Sequence, residues 1–560
     1  MTCGQIAKRG SNWKSSLLLG SSLGLLGCAE EGQTLFLPDA SMATGMATAD
    51  GGAKPDGGAD AGFGSVAADG LTIAFGSGRV KGKLVDTTRE FLGIPYAKAP
   101  VGALRFAAPQ AIDPWTGDKD ATMFGASCAQ SMGTLSPMGA TSEDCLSINV
   151  FAPQSAPPTG LPVYVFIHGG AFISGGSSQY DGQKLSERGP LVVVTLNYRL
   201  GPFGFLSHAA LDPTRGAEPS GNDGIRDQQL ALKWVKNNIA AFGGDPTKVT
   251  VAGESAGSMS ACIHFVSPPA RELAQRFVFE SGVCTGETLL KKKADGDALG
   301  KMLSDELCAG QPDPIQCLRA KPIMDLTEWH KMSSLFGAGF VPVYNAMDPL
   351  LPDNPAKMID AGNYNNKAPI LAGTNLHEWG LFQALGAAKP ATGAELETAI
   401  DMQLGAQLGA AGATAVKAHY KPASDAEAND TMIRLMTDSA FRCPTRAMAR
   451  QVTKKGTKVF LYSFEQGQAF HAYEIPYVFG NMNALLAPMI DDGTLMTMQP
   501  FFMQFATTGD PNGRGALVWP AYDEVGDQNM SLKTQSAAGT GLAKADCDFW
   551  VGLAAMAPMM

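Results

Sequence analysis

Lys248-Val249-Thr250-Val251-Ala252-Gly253-Glu254-Ser255-Ala256-Gly257 is a β-branched run that breaks into Gly-x-Ser-x-Gly and passes into Ser258-Met259-Ser260-Ala261. This order predicts a strand, a sharp turn carrying the serine at its apex, and a helix. The flanking glycines are needed because a Cβ at either place collides with the neighbouring strand or helix while the hydroxyl is held exposed. The pentapeptide alone says little. With 65 glycines in 560 residues and serine near its average usage, about half a match arises by chance. A second match does stand at Gly20-Ser21-Ser22-Leu23-Gly24, so the surroundings must decide.

Upstream, Leu161-Pro162-Val163-Tyr164-Val165-Phe166-Ile167 is a continuous apolar run of the kind expected for a parallel strand buried on both faces. It ends in His168-Gly169-Gly170-Ala171-Phe172, where small residues allow backbone N–H groups to converge on one point. A second buried strand, residues 191–196, runs into Asn197-Tyr198-Arg199, and residues 227–239 place apolar side chains at helical spacing. Gly243-Gly244-Asp245-Pro246 ends that helix ahead of the strand before Ser255. Strand, helix, strand, turn, helix predicts a doubly wound α/β fold whose site lies at the carboxyl ends of the strands.

The N-terminus carries Lys8, Arg9 and Lys14, then the apolar run 17–26, then Gly27-Cys28. A basic flank before about ten apolar residues predicts an export segment over residues 1–28, too short for the roughly 20 residues of a spanning helix. Leu25-Leu26-Gly27-Cys28 resembles a bacterial lipobox, which would make Cys28 a lipidated first residue; the alternative is ordinary cleavage near Gly27. Ala29 after the cysteine favours the outer membrane. Residues 29–68 are rich in Ala, Gly and Asp, too poor in large apolar side chains to order, and read as a flexible tether. The folded domain is assigned to 69–560. The chain is 45% hydrophobic with net charge −10, and it has no basic cluster suited to nucleic acid. Lys291-Lys292-Lys293 reads as a solvated face. Of ten cysteines, Cys3 and Cys28 fall in the export segment, and the remaining even number suits disulfides in an exported chain. No Cys/His spacing suits zinc, so neither metal nor cofactor is expected.

Phe91-Leu92-Gly93-Ile94-Pro95-Tyr96-Ala97, Leu104-Arg105-Phe106, Glu143-Asp144-Cys145-Leu146-Ser147-Ile148-Asn149-Val150, the 168–172 loop, Asn222-Asp223-Gly224, Phe242-Gly243-Gly244-Asp245-Pro246 and the Ser255 turn occur in order. Phe505-Ala506-Thr507-Thr508-Gly509-Asp510-Pro511-Asn512 and Trp519-Pro520-Ala521-Tyr522 follow. Together they resemble the type-B carboxylesterase family, which includes cholinesterases and para-nitrobenzyl esterases. The resemblance implies an α/β-hydrolase fold, with a mostly parallel sheet flanked by helices and helical insertions over an active-site gorge. It also implies hydrolysis of carboxylic esters through an acyl-enzyme.

The family order of serine, acid, histidine directs attention to Gly373-Thr374-Asn375-Leu376-His377-Glu378 and to Phe470-His471-Ala472-Tyr473-Glu474-Ile475-Pro476. The resemblance implies Ser255 as nucleophile, His471 as base and then acid, and Glu378 as the carboxylate that fixes the imidazole tautomer. The bland reading of Glu378 is a carboxylate at a helix start; His377 is the rival base, while His208, His264, His330 and His419 lack the motif. The N–H groups of Gly170, Ala171 and Ala256 are implied as oxyanion donors. Glu254 either tunes the field of the pocket or is a buried, hydrogen-bonded structural residue. Ser281, in Glu280-Ser281-Gly282, resembles a serine that supports the triad. Matched motifs imply disulfides Cys128–Cys145, Cys308–Cys317 and Cys443–Cys547, leaving Cys262 and Cys284 either paired or as thiols. Residues 129–144 contain no aromatic side chain, which argues against a choline ester. A small or medium ester is expected, with a long-chain lipase and a non-catalytic adhesion module as alternatives. Oligomeric state is not readable.

Overall fold

The computed structural model describes residues 66–67 and 69–556, except 132, 134–135, 138, 156–159, 287–288, 330–338 and 482–490. The export segment, Cys28, all but the end of the tether, and His330 lie outside these residues. An eleven-stranded sheet organises the domain. In chain order its strands are β1 (Lys83–Val85), β2 (Thr88–Pro95), β3 (Ser147–Pro153), β4 (Leu161–Ile167), β5 (Val192–Leu196), β6 (Gly244–Glu254), β7 (Arg276–Glu280), β8 (Ile370–Asn375), β9 (Val459–Phe464), β10 (Gln528–Leu532) and β11 (Ala537–Thr540). Their spatial order is β11-β10-β9-β8-β7-β6-β4-β5-β3-β2-β1. From β5 to β10 neighbours run parallel, while antiparallel strands close both edges.

Alternation explains why β4 reads as unbroken apolar sequence. Val163, Val165 and Ile167 enter one core with Ile225, Leu232 and Val235, whereas Tyr164 and Phe166 enter the other with Met498, Phe502 and Phe505. The first core is covered by helices α1 (Asp223–Asn238) and α2 (Ala256–Val266), the second by the helix Asp492–Thr508. Helix α1 starts earlier than the apolar spacing predicts, at Asp223 rather than Asp227. Its first turn is buried but charged, so apolar periodicity is blind to it. Arg199 holds Asp227 at 2.7 Å, Arg226 holds Asp348 at 2.9 Å, and Arg215 pairs with Asp223.

The lysine run also departs from expectation. Lys293 is mostly buried and pairs with Asp212 at 2.6 Å and Asp297 at 2.7 Å, so only Lys292 is exposed as a solvated face requires. Those three charges dock the start of helix Lys293–Leu307 on the segment after β5. Pairing puts the ends of the central strands in line, with Ile167 opposite Gly253, Glu254 opposite Glu280, Glu280 opposite Gly373, and Asn375 opposite Phe464. Every predicted site loop therefore leaves the same edge.

Candidate active site

The turn after β6 is as tight as the glycines imply. A Cβ on Gly253 would lie 2.4 Å from the backbone of Gly257, and one on Gly257 would lie 2.0 Å from the carbonyl oxygen of Ile167. Ser255 itself is held at φ +56°, ψ −124°, a conformation that costs a non-glycine residue about 1–3 kcal/mol and persists only where its surroundings enforce it. Its N–H donates to the carbonyl of Glu280 at 2.9 Å, and its side chain remains partly exposed.

The loop after β4 is likewise constrained. Gly170 has φ +103°, where a Cβ would lie 2.1 Å from the Ser174 carbonyl oxygen, and Ala171 follows at φ +55°. Tyr198 supports this loop by donating to the His168 carbonyl at 2.9 Å and stacking on its ring. Burial pulls His168 down to about 4, so it is a neutral structural ring. Ala256 is the first residue of α2, and the N–H at such a position has no acceptor within its own helix.

The expected acid and base, Glu378 and His471, lie on the segments that follow β8 and β9. Glu378 is fully buried; Oε1 accepts from the Asn375 N–H at 2.7 Å, and Oε2 lies 2.7 Å from Nδ1 of His471. It does precede a short helix, Trp379–Ala384, but its side chain makes no capping bond. Glu378 thus stands at a helix start, while its side-chain contacts are with Asn375 and His471. His471 N–H donates to the Glu378 carbonyl at 3.3 Å, and Asn375 Nδ2 donates to the Phe470 carbonyl at 2.7 Å, so the two loops are stitched together. The imidazole packs against Phe382 at 5.1 Å and Phe441 at 4.9 Å. The rival His377 is exposed, with Nδ1 at the Gln468 carbonyl.

Two carboxylates have no part in the sequence reading. Glu474, three residues beyond His471, is fully buried and accepts from Ser281 Oγ at 3.3 Å and from Asn375 Nδ2. Burial first, then Glu254 and Glu378, push it up to about 8. Glu280, at the end of β7, is also fully buried, meets the Tyr164 hydroxyl at 3.5 Å, and is held well above the usual carboxylate range by burial and by Glu474. The only signal for Glu474 was a charge inside the aromatic, apolar segment 470–480. Ser281 acts on Glu474, not directly on a triad member. Glu254 is buried, and its Oε1 lies 3.1 Å from Nε2 of His471 without a hydrogen bond to it. All three implied disulfides form, and Cys262 bonds to Cys284 as well. No metal-holding cluster occurs among the described residues.

A hydroxyl on a strained turn beside an imidazole with a buried carboxylate on one ring nitrogen is the set of groups that acyl transfer uses. The model of the Carboxylesterase family matches residues 69–550. The chain belongs to this family. It is 37% identical to para-nitrobenzyl esterase of Bacillus subtilis (strain 168), over 82% of this chain and 94% of that protein. Acylcarnitine hydrolase of Mus musculus is 31% identical over 85% and 89%, and acetylcholinesterase of Bungarus fasciatus 32% over 82% of each. The carboxylesterase is therefore a serine hydrolase of carboxylic esters with the α/β-hydrolase fold, and neither the lipase nor the adhesion alternative is favoured.

Proposed function

We propose that Ser255 attacks the ester carbonyl, that His471 takes its proton and returns it to the leaving alcohol, and that Glu378 orients the imidazole. Water then repeats the cycle on the acyl-enzyme. The observation that carries this reading is the 2.7 Å contact of His471 Nδ1 with Glu378, beside a serine on a strained turn. Gly170, Ala171 and Ala256 supply the oxyanion donors, each worth about 10²-fold or more in turnover. Ser255→Ala should abolish hydrolysis of p-nitrophenyl butyrate while leaving the fold intact by circular dichroism; wild-type rates in that variant reject the assignment.

The substrate is a small or medium ester with an uncharged alcohol group, supported by the lack of aromatic residues in 129–144 and by the likeness to a para-nitrobenzyl esterase. A panel varying acyl length decides: preference for palmitoyl over butyryl esters favours a lipase instead. The chain is exported and tethered to the cell envelope through lipidated Cys28, favouring the outer membrane. The lipobox-like end and the tether composition support this, and failure of Cys28 to take up labelled fatty acid in a bacterial host rejects it.

A further inference from the structure

Ser255 is not alone at the site in having positive φ. Ser281, the first residue after β7, has φ +53°, and neighbouring residues held this way persist only where their surroundings enforce it. The segment 280–284 touches every part of the site. The Glu280 carbonyl accepts from the Ser255 N–H at 2.9 Å, and the Ser281 N–H donates at 2.9 Å to the carbonyl of Gly373, on the strand that leads to Glu378. Ser281 Oγ donates at 3.3 Å to Glu474, on the segment that carries His471. At Gly282 the backbone comes so near the nucleophile that an added Cβ would lie 2.7 Å from the Ser255 carbonyl oxygen.

Helix α2, which begins at Ala256, is fastened to this segment from one face. Ser258 and Cys262 stand one turn apart on that face. Ser258 Oγ donates to the Gly282 carbonyl, the Cys284 N–H donates to Cys262 Sγ at 2.9 Å, and Cys262 and Cys284 are joined by a disulfide. Only the disulfide is covalent, and both of its cysteines are fully buried. Of the four described disulfides it alone has an end on α2.

We propose that the Cys262–Cys284 disulfide is a positioning element for catalysis as well as a staple of the fold. It locks α2, and with it Ser255 Oγ and the Ala256 N–H, onto the segment that also reaches the acid and base loops. This rests on the assignment of Ser255, His471, Glu378 and the Ala256 donor. The bridge touches no substrate and changes no bond in the reaction; its contribution is geometric. A misplacement of about 1 Å at the reacting atoms, caused from outside the chemistry, costs about 10²-fold in rate. The ordinary effect of a disulfide, restriction of the unfolded chain, does not reach turnover in the molecules that remain folded. The two roles therefore separate by experiment.

The test compares kcat and KM for p-nitrophenyl butyrate in the full chain and in two variants that each lose one bridge, Cys262→Ala/Cys284→Ala and Cys308→Ala/Cys317→Ala. Each rate is divided by the number of serines titrated with a fluorophosphonate, so that unfolded chains do not count. The second bridge joins the end of helix Lys293–Leu307 to helix Pro314–Ala320, neither of which carries a triad residue. The first variant should lose at least about 10-fold in kcat per titrated site with KM nearly unchanged, and the second should keep the wild-type kcat. Wild-type kcat per site in the first variant, or an equal loss in both, overturns the proposal. Should the first variant not fold, Ser258→Ala opens the same junction: a lower kcat per site at unchanged KM supports the proposal, and wild-type kcat overturns it. Ser255→Ala in the same assay is inactive and untitratable if the triad stands, so failure of the triad and failure of the positioning role are told apart.

Discussion

At the scale of single residues, Glu378 and Glu474 are both buried glutamates of one site but have opposite roles. Glu378 is bonded to the imidazole, so Glu378→Gln should leave the geometry in place and favour the wrong tautomer, lowering kcat by about 10⁴ with KM nearly unchanged; steady-state kinetics on p-nitrophenyl butyrate measure this. Glu474 is hydrogen-bonded to Ser281 and Asn375, and its titration should appear in stability. Its proton is held to about 8 in the folded protein against an ordinary 4.5, so the native state binds more protons than the unfolded state between those values. Stability then falls as pH rises from about 4.5 to about 8. Glutamine does not titrate, so urea midpoints of Glu474→Gln should gain on the wild type as pH goes from about 5 to about 8. A gap that stays constant with pH contradicts this. The residues proposed as nucleophile, acid and base were readable because each sits in a motif with its own local spacing. Glu474 and Glu280 were not, because a carboxylate becomes part of a buried cluster only through neighbours from other strands.

At the scale of elements, the sequence exposes apolar periodicity and hides buried charge. β4 and β6 were plain as β-branched runs, whereas the first turn of α1 and the docking of Lys293 depend on arginine and aspartate partners more than ten residues away in several cases. The pairing of Cys262 with Cys284 was undecided for the same reason, since neither cysteine lies in a matched motif. Cys262 is on α2, two turns after Ser255, and Cys284 follows the Glu280–Ser281–Gly282 turn. The Cys284 N–H donates to the Cys262 sulfur at 2.9 Å, and Ser258 Oγ donates to the Gly282 carbonyl. The bridge thus ties the nucleophile helix to the turn whose Glu280 carbonyl receives the Ser255 N–H. With its cysteines separated by 22 positions in sequence, its loss in the Cys262→Ala/Cys284→Ala protein should cost about 3 kcal/mol, read as a lower urea midpoint. Since the side chains are fully buried, thiol reagents should fail to label them in the native reduced-buffer protein and succeed only after unfolding.

At the scale of the whole molecule, the catalytic loops, four disulfides and both cores belong to the domain that the family match covers, residues 69–550. The first ladder of that domain begins at Thr72, whose neighbour Ile73 also bridges to Val66, so folding contacts reach back to Val66 across the tether boundary. The proposed lipid tether separates membrane attachment from catalysis, so the two should come apart at this boundary. A chain beginning at residue 66, exported behind an unrelated cleavable signal so that its disulfides form, should keep wild-type kcat and KM for p-nitrophenyl butyrate and melt within about 2 °C of the full chain, since no core residue is removed. The proposal that Cys28 is lipidated predicts that the full chain enters the detergent phase on phase separation and the shortened chain the aqueous phase. Loss of activity would mean that residues before 66 contribute to the fold, and aqueous partition of the full chain would remove the lipid tether while leaving the esterase intact.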